Sequence, residues 1–313
     1  MVMDNLKLSI FFNADRVYLM VCEPTPDGLK LIYVNSTENP IDLEFMDSPQ
    51  NKLAINELNS IFSTFDFNVE SISVSLSADT ILVSHLPGKA NITQQEIKQL
   101  ISLEIRQAFP MFSFEDFVSS VVPTEPDLNS KSNLISIIIP KVIMDNCKNI
   151  MAALNAPIVK FEISQINAHQ SFLYNYPEYA GLSIAFFQVQ DQFIDVSLVN
   201  GEQIYYYNLI SLNKKDKLGE ICAKELLTFA KNYNQSIDLG VFFGSGLTKE
   251  NLAETKVILK NVILEVDRLN AFRMIKTDLP DRVKEYCSRT SHIFPSCIGG
   301  FMPYVSNKLN LYI

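Results

Sequence analysis

The clearest pattern in this chain lies in residues 6–35, LKLSIFFNADRVYLMVCEPTPDGLKLIYVN. Three segments of this stretch are rich in β-branched and aromatic side chains, which is typical of β-strands. They are residues 6–12, 16–22 and 29–35. The breaks between them carry Asn13-Ala14-Asp15 and a Pro-Thr-Pro-Asp-Gly turn at 24–28, residue types that favour turns. The stretch therefore predicts a meander of three strands.

The second half of the chain repeats this arrangement. Residues 182–208 contain three strand-like segments, and Asn200-Gly201 is a hairpin turn signal between the last two. A helix with one apolar face and then a further strand follow each meander. These are residues 51–65 and 71–76 in the first half, and 218–233 and 237–243 in the second. We expect an α/β fold of duplicated βββαβα lobes, with a first lobe at 1–180 and a second at 181–313.

Residues of about 88–175 interrupt the first repeat and predict an inserted α/β subdomain. Thr93-Gln94-Gln95-Glu96 is a capping box, which marks the start of a helix. Ile97, Ile101 and Ile105 then recur on one helical face, and Pro110 ends the helix. Further strand-like segments follow at 114–122, 134–139 and 158–163.

Composition excludes several classes of protein. The chain has 313 residues, of which 47% are hydrophobic, and this is enough apolar material for a full core rather than a disordered protein. The formal net charge is −9, from 26 basic and 35 acidic residues. Because nucleic-acid binding needs clustered Lys and Arg, a generic nucleic-acid binder is not expected.

The cysteines and the N-terminus indicate a cytoplasmic protein. The five cysteines are odd in number and form no Cys-x-x-Cys motif, so we expect free thiols and neither a disulfide framework nor a metal site. The first eight residues include Asp4 and Lys7 and lack the apolar core of a signal peptide. Apolar runs such as 134–139 are far shorter than the ~18 residues that span a bilayer.

Several segments resemble the PilM-like family of type IV pilus assembly proteins, which is more distantly related to the cell-division protein FtsA. The resemblance covers roughly residues 6–303. Its most specific stretch runs from Ser73 through His85-Leu86-Pro87 to the helix that ends at Phe109-Pro110. The resemblance implies an actin-like, ribonuclease H-like fold that binds a nucleotide between two lobes. It also implies an adenosine loop at Gly244-Ser245-Gly246 and a closing helix that contains Gly299.

The phosphate loops depart from the family pattern. Active members carry Asp-x-Gly in the first hairpin of each lobe, where the Asp serves Mg²⁺ and the Gly lets backbone N–H groups approach phosphate. Here Phe11 and Asn13 stand at the first pair of positions, and Gln188 and Gln190 stand at the second. We therefore expect a degenerate nucleotide cleft with no cofactor. Binding of Mg-ATP is the alternative, and it would need Asp15, Asp191 or another acid in the metal role.

Other catalytic signals are weak. Gly244-x-Gly246 lacks the third glycine of a dinucleotide fingerprint, and a tight strand-to-helix turn explains it without a ligand. His85, His169 and His292 show no ligand spacing, and neither a Walker A loop nor a Gly-x-Ser-x-Gly elbow occurs. We assign no catalytic or metal-binding residue, and an enzymatic, kinase-like function is the least favoured interpretation.

Two dense aromatic clusters have two possible roles, core packing or partner binding. One is Tyr205-Tyr206-Tyr207, and the other comprises Phe109, Met111, Phe112, Phe114 and Phe117. Packing is the favoured interpretation, and an exposed groove for a peptide is the alternative. The family resemblance implies such a groove for the cytoplasmic tail of the bitopic membrane protein PilN. The resemblance implies a scaffold at the cytoplasmic face of the inner membrane that binds this tail, with self-association as a further option. The GspL protein of type II secretion is similar, with a PilM-like fold used mainly for docking.

Overall fold

The structure of the chain, a computed structural model, describes residues 5–88, 92–124, 133–213, 215–233, 236–304 and 309–311. It divides into two compact units. Unit 1 contains residues 1–80, 142–177 and 269–303, and unit 2 contains residues 81–141, 178–268 and 304–313. Each unit is thus built from segments that are distant in sequence. In the described part of the chain, no helix is both long and apolar enough to cross a membrane.

Strands and helices are numbered along the chain. The strands are β1 (Lys7–Phe12), β2 (Val17–Thr25), β3 (Gly28–Ser36), β4 (Ser71–Leu76), β5 (Leu82–Pro87), β6 (Phe117–Pro123), β7 (Asn133–Pro140), β8 (Ile158–Ile163), β9 (Ser183–Val189), β10 (Phe193–Asn200), β11 (Gln203–Ser211), β12 (Leu239–Phe243), β13 (Glu265–Arg268), β14 (Lys276–Thr277) and β15 (Leu309–Leu311). The helices are α1 (Pro49–Ser63), α2 (Gln94–Ala108), α3 (Lys141–Met151), α4 (Ser164–Asn175), α5 (Leu218–Tyr233), α6 (Lys249–Leu259), α7 (Asp281–Thr290) and α8 (Pro295–Gly300).

Unit 1 is built on a six-stranded sheet with the order β14-β3-β2-β1-β4-β8. The meander of β1, β2 and β3 is antiparallel, whereas β4 pairs in parallel with β1 and β8 pairs in parallel with β4. The inner strands β1 and β4 are almost wholly buried. Both faces of these strands are covered, and the two strands meet this in different ways. β1 is mostly apolar, whereas β4 alternates the apolar Ile72, Val74 and Leu76 with small serines.

Unit 2 contains a five-stranded sheet with the order β11-β10-β9-β12-β13. Its meander is again antiparallel, and β12 again pairs in parallel with the first strand of the meander. The order matches β3-β2-β1-β4-β8 of unit 1 strand for strand. The expected α/β fold with duplicated βββαβα lobes is confirmed.

The inserted subdomain is a four-stranded sheet, β15-β6-β7-β5, covered by α2. Ile97, Ile101 and Ile105 of α2 are buried against β5, β6 and β7, as their helical spacing predicts. The capping box is formed by Thr93 and Glu96 and satisfies N–H groups at the start of α2. This subdomain packs in unit 2 with the second lobe.

Units 1 and 2 do not coincide with the ranges expected from the sequence. β8 and α4 lie within the range 88–175, which was expected to be inserted, but β8 joins the six-stranded sheet of unit 1. A run of apolar residues cannot reveal which sheet a strand enters, because that choice depends on long-range pairing. The ranges 1–180 and 181–313 stay a prediction about the two repeats. At 114–122, a single 3₁₀ turn at Phe114–Asp116 precedes β6.

Candidate functional site

The first hairpin, between β1 and β2, places an aromatic ring where active relatives are expected to carry an Asp. Phe11 is only 2% exposed, and its ring stacks on that of Tyr18 with the centroids 6.1 Å apart. Tyr18 lies opposite Phe11 on β2, and Ser75 lies beside it on β4. The backbone N–H of Asn13 donates to the carbonyl oxygen of Arg16 at 3.2 Å and closes the turn. The first predicted position is therefore part of the core of unit 1.

Asp15 is the acid that lies nearest to this turn in sequence, and hydrogen bonds hold both of its carboxylate oxygens. Asn13 Nδ2 donates to Oδ1 and Tyr18 Oη donates to Oδ2, each at 2.6 Å. Arg16 Nε also lies 3.6 Å from Oδ2. Burial, and then the hydrogen bond to Asp15, raise the pKa of Tyr18 far above its ordinary value. A metal ion at Asp15 would compete with these two donors for the charge of the carboxylate.

A cavity of about 710 Å³ lies beside this hairpin, within unit 1. Phe12, Asn13 and Ala14 line one side of it, and the loop before α1 lines another. The buried side chain of Asn51 holds that loop, because its amide nitrogen donates to the carbonyl oxygens of Asp42 and Phe45.

The charge of this cavity is unfavourable for a phosphate. Three carboxylates line it, from Asp42, Glu44 and Asp79, and the lining residues that the structure describes include neither Lys nor Arg. Like charges repel, so such a lining favours a neutral or cationic group over a phosphate.

The second hairpin, between β9 and β10, carries amides at the corresponding positions. Gln188 and Gln190 are 1% and 2% exposed. Gln188 lies between Asp195 on β10 and Phe243 on β12. The backbone N–H of Gln190 donates to the carbonyl oxygen of Phe193 at 2.9 Å and closes the turn. Asp191, at the tip, is exposed.

The glycine loop after β12 packs directly on this second hairpin. Gly244 has a φ of +108°, and a Cβ there would lie 2.2 Å from the carbonyl oxygen of Val189. A Cβ on Gly246 would lie 2.6 Å from the carbonyl carbon of Gln190. Ser245 Oγ donates to Oε1 of Gln190 at 2.7 Å. The structure thus brings five of the predicted residues together in unit 2, and these glycines are needed for packing whether or not a ligand binds.

Gly299 serves the packing of α8 in unit 1. A Cβ on Gly299 would lie 1.7 Å from the backbone oxygen of Asn167 in α4, so no other residue fits without movement. The buried Lys160 donates from Nζ to the carbonyl oxygens of Gly299 and Met302, both at 3.0 Å. A cation at the C-terminal end of a helix is favourable because the helix dipole is negative there. A contribution of Gly299 to nucleotide binding stays a prediction.

Asp195 and Tyr207 form a buried pair that sequence reasoning missed. Asp195 is fully buried in β10, and Tyr207 Oη donates a short hydrogen bond to its carboxylate. Burial, and then the charge of Asp195, raise the pKa of Tyr207 well above its ordinary value. The signal was present, since Asp195 is the only charged residue in the apolar stretch from Phe193 to Val199.

The tyrosine cluster behaves as packing material. Tyr207 is buried, and Tyr205 and Tyr206 pack on the core of the second lobe. Tyr206 Oη donates to Glu225 at 2.6 Å, and the carbonyl oxygen of Tyr205 accepts from Tyr233. A cavity of about 300 Å³ adjoins them within unit 2. These contacts match the favoured packing interpretation.

The second aromatic cluster is divided between core and surface. Phe117 is buried, and Phe109 and Phe114 pack on the core of the inserted subdomain. Met111 and Phe112 are 92% and 55% exposed, and they lie in the turn before β6. An exposed apolar patch of this kind is a candidate contact for a partner.

Comparison with solved structures shows the class of fold. Over 95% of its length, the chain matches 99% of a chain in the "PilM-PilN type IV pilus biogenesis complex", with a TM-score of 0.74 and 12% identity. It matches a Bacteroides thetaiotaomicron protein "with actin-like ATPase fold and unknown function" at a TM-score of 0.51 and 15% identity, over 86% of this chain and 92% of that one. The fold is therefore actin-like. More particularly, the fold resembles that of a chain in the PilM–PilN complex over nearly the whole length of both chains.

A weaker match concerns type II secretion. The cytoplasmic domain of EpsL, an inner membrane component of that system in Vibrio cholerae, aligns at a TM-score of 0.46 with 7% identity, over 78% of this chain and 84% of that one. No protein-family model and no curated protein sequence matches the chain.

Proposed function

We propose that this chain is a non-catalytic, actin-like scaffold of a type IV pilus or type II secretion-like assembly. It would act in the cytoplasm at the inner membrane and bind the cytoplasmic tail of a bitopic, PilN-like membrane protein. The observation that carries this proposal is the nearly end-to-end match to a chain of the PilM–PilN complex. Because fold alone does not fix function, the partner and the cellular system need direct tests.

The two hairpins support the non-catalytic part of the proposal. Phe11 and Gln188 supply no charge for Mg²⁺, and Asp15 is held by Asn13 and Tyr18. The carboxylates of the cavity beside the first hairpin add negative charge there. A triphosphate without its cation is held poorly by such groups.

Tail binding is tested with synthetic peptides. Each peptide carries the cytoplasmic N-terminal tail of a bitopic membrane protein encoded beside this gene, and a scrambled peptide of the same composition is the control. We expect one tail to bind the full-length chain with micromolar affinity or better in isothermal titration. If none of these tails binds more tightly than its scrambled control, the docking function is wrong.

A nucleotide-binding switch or weak ATPase of the same fold is the second candidate. One observation favours it: the Gly244–Gly246 loop is formed and contacts Gln190, as an adenosine loop beside a phosphate hairpin would be.

Titration of Mg-ATP with a parallel thermal scan separates the two candidates. A ligand at 100 times its dissociation constant stabilises a fold by about 2.7 kcal/mol. The scaffold proposal expects neither heat nor stabilisation at millimolar Mg-ATP. Saturable binding that Asp15→Ala or Asp191→Ala abolishes would establish the switch instead.

A further inference from the structure

Within the described part of the chain, only part of the outer edge of β6, in the inserted subdomain, is paired with another strand. On its inner side β6 pairs with β7 along its whole length, from Phe117 to Pro123. On its outer side, residues 309–311 of the same chain pair with Val121, Ser120 and Ser119 in antiparallel register. Among the residues that the structure describes, none pairs with this edge at Phe117 and Val118.

The two ends of the β6 edge differ. At its C-terminal end, Thr124 already bridges to Ile204 within unit 2. At its N-terminal end, Phe112 lies 6.2 Å from Phe117 between ring centroids, and Met111 is the most exposed large apolar residue of the described chain. An antiparallel strand that continued past the position of residue 311 would run towards this apolar turn.

Charge at this end of β6 indicates what kind of segment would fit. Glu115 and Asp116 are exposed beside the turn, and the whole chain has a net charge of −9. Cytoplasmic segments next to membrane spans are enriched in Lys and Arg. Lys308-Leu309-Asn310-Leu311 itself combines one basic residue with apolar residues at alternate positions.

We propose that the β6 edge binds an extended, basic and alternately apolar segment of the partner's tail as an added strand, and that residues 309–311 occupy this edge until the tail displaces them. The inference rests on the proposed function for the identity of the partner. Strand addition to a sheet edge derives affinity from backbone hydrogen bonds and specificity from alternate side chains. The tail can bind only to molecules in which residues 309–311 have left the edge. Its apparent affinity is therefore lower than its affinity for the open edge, in proportion to the fraction of molecules that are open.

The edge itself is tested with a labelled peptide of residues 305–313, VSNKLNLYI, and a full-length Asn310→Pro/Leu311→Pro variant. Proline cannot donate to a strand ladder, and adjacent residues point their N–H groups to opposite sides, so one of the two prolines removes a bond to β6. In fluorescence anisotropy, we expect the peptide to bind this variant about tenfold more tightly than the unmodified chain. Equal affinities, or binding to neither protein, would refute self-occupancy.

Met111→Glu tests the apolar end of the edge in the proline variant, with Leu264→Glu as the matched control. Both residues are exposed, at 92% and 88%, so neither substitution should alter thermal unfolding. We expect Met111→Glu to weaken binding of the partner's tail about tenfold and Leu264→Glu to leave it unchanged. If the two substitutions have equal effects on tail binding, the apolar turn at Met111 is not part of the binding site.

Competition and hydrogen exchange separate failure of this inference from failure of the proposed function. The partner's tail should displace the labelled peptide from the proline variant. If the peptide binds but no tail displaces it, the β6 edge is a strand-binding site, and a PilN-like tail is not its ligand. If the proline variant does not fold, hydrogen exchange in the unmodified chain tests whether the tail displaces residues 309–311. Tail binding should then expose the amides of these residues to exchange, while the amides of β6 stay protected. Unchanged exchange at 309–311 would refute displacement.

Discussion

The two hairpins lie at matching positions of two sheets with the same strand order, yet they are built from different kinds of side chain. The first is closed by the stacked rings of Phe11 and Tyr18, and its only acid is tied into the turn. The second carries two buried amides, and one of them accepts from Ser245 of the glycine loop. Both lack the carboxylate and the glycine of the family pattern.

The corresponding positions of the two hairpins are thus filled by two different kinds of side chain. An aromatic ring fills the first position and gains packing energy, because burial of a large apolar side chain is favourable. Amides fill the second position and need hydrogen-bond partners, because a buried polar group without one is costly. In the second hairpin, Gln190 therefore accepts a hydrogen bond from the adjacent glycine loop. In the first hairpin, the side chains of Asn13 and Tyr18 donate to Asp15 of the same hairpin.

The largest effect is expected from Gly299→Ala, which tests how tightly unit 1 is closed around α8. The new Cβ would lie 1.7 Å from the backbone oxygen of Asn167, and backbone cannot move aside cheaply. We expect a loss of about 3 kcal/mol in the free energy of unfolding. Because the chain has no Trp, urea unfolding is best followed by circular dichroism.

Gly181→Ala is the matched control for this substitution. Gly181 has no heavy atom within 4 Å of its would-be Cβ, so we expect a change of no more than about 0.5 kcal/mol. Similar losses for both alanine variants would mean that the packing of α8 against α4 is not what Gly299 provides.

Tyr207→Phe should have the next largest effect, and it tests the polar interior of unit 2. It removes the hydrogen bond to the fully buried carboxylate of Asp195. Hydrogen bonds to buried charged groups are the strong ones, so we expect a loss of about 2 to 3 kcal/mol in urea unfolding. Tyr206→Phe is a useful control because its partner, Glu225, is only partly buried. A smaller loss for Tyr207→Phe than for the control would contradict this ranking.

Tyr18→Phe is the counterpart in the first hairpin and should cost less. The carboxylate of Asp15 is 28% exposed and keeps its bond from Asn13, so water replaces part of what is lost. We expect about 1 kcal/mol, measured in the same way. A cost equal to that of Tyr207→Phe would show that burial does not distinguish the two tyrosine–aspartate pairs.

The repeated meanders and the helix at 94–108 could be predicted because their signals are local. Alternation of residue types, turn residues and the capping box at Thr93 all act within a few residues of one another. The two hairpins could be located for the same reason, since Asn13 and Gln190 sit at recognisable strand ends.

The remaining features depend on contacts between distant residues. β14 has only two residues and forms because it pairs with β3, and no periodicity can show in two residues. The need for glycine at 299 comes from a carbonyl oxygen in α4, and the partner of Asp195 lies on the next strand. Sequence patterns alone specify neither of these contacts.

The smallest effect is expected from a thiol reagent on the native chain at pH 8. During unfolding, the reactivity of the thiols measures the stability of the two units separately. All five cysteines are buried and free. Cys22, Cys147, Cys287 and Cys297 lie in unit 1, and Cys222 lies in unit 2. We expect little labelling by a disulfide reagent at pH 8 in the native chain. During urea unfolding, the four thiols of unit 1 should react as one group and Cys222 at its own midpoint, read by mass spectrometry of the labelled peptides.

The same thiols predict how stability changes in alkali. Burial raises the pKa of Cys147 from 9.0 to about 12 and that of Cys287 to about 11. The folded chain therefore holds these protons more tightly than the unfolded chain, and their contribution is complete below pH 9 and is lost as the pH rises through 11 to 12. Urea midpoints should be constant between pH 7 and 8.5 and fall above pH 9. Urea midpoints that stay constant up to pH 11 would show that the thiols have the same pKa in the folded and unfolded chain. In the labelling experiment, simultaneous reaction of all five cysteines would show that the two units unfold together.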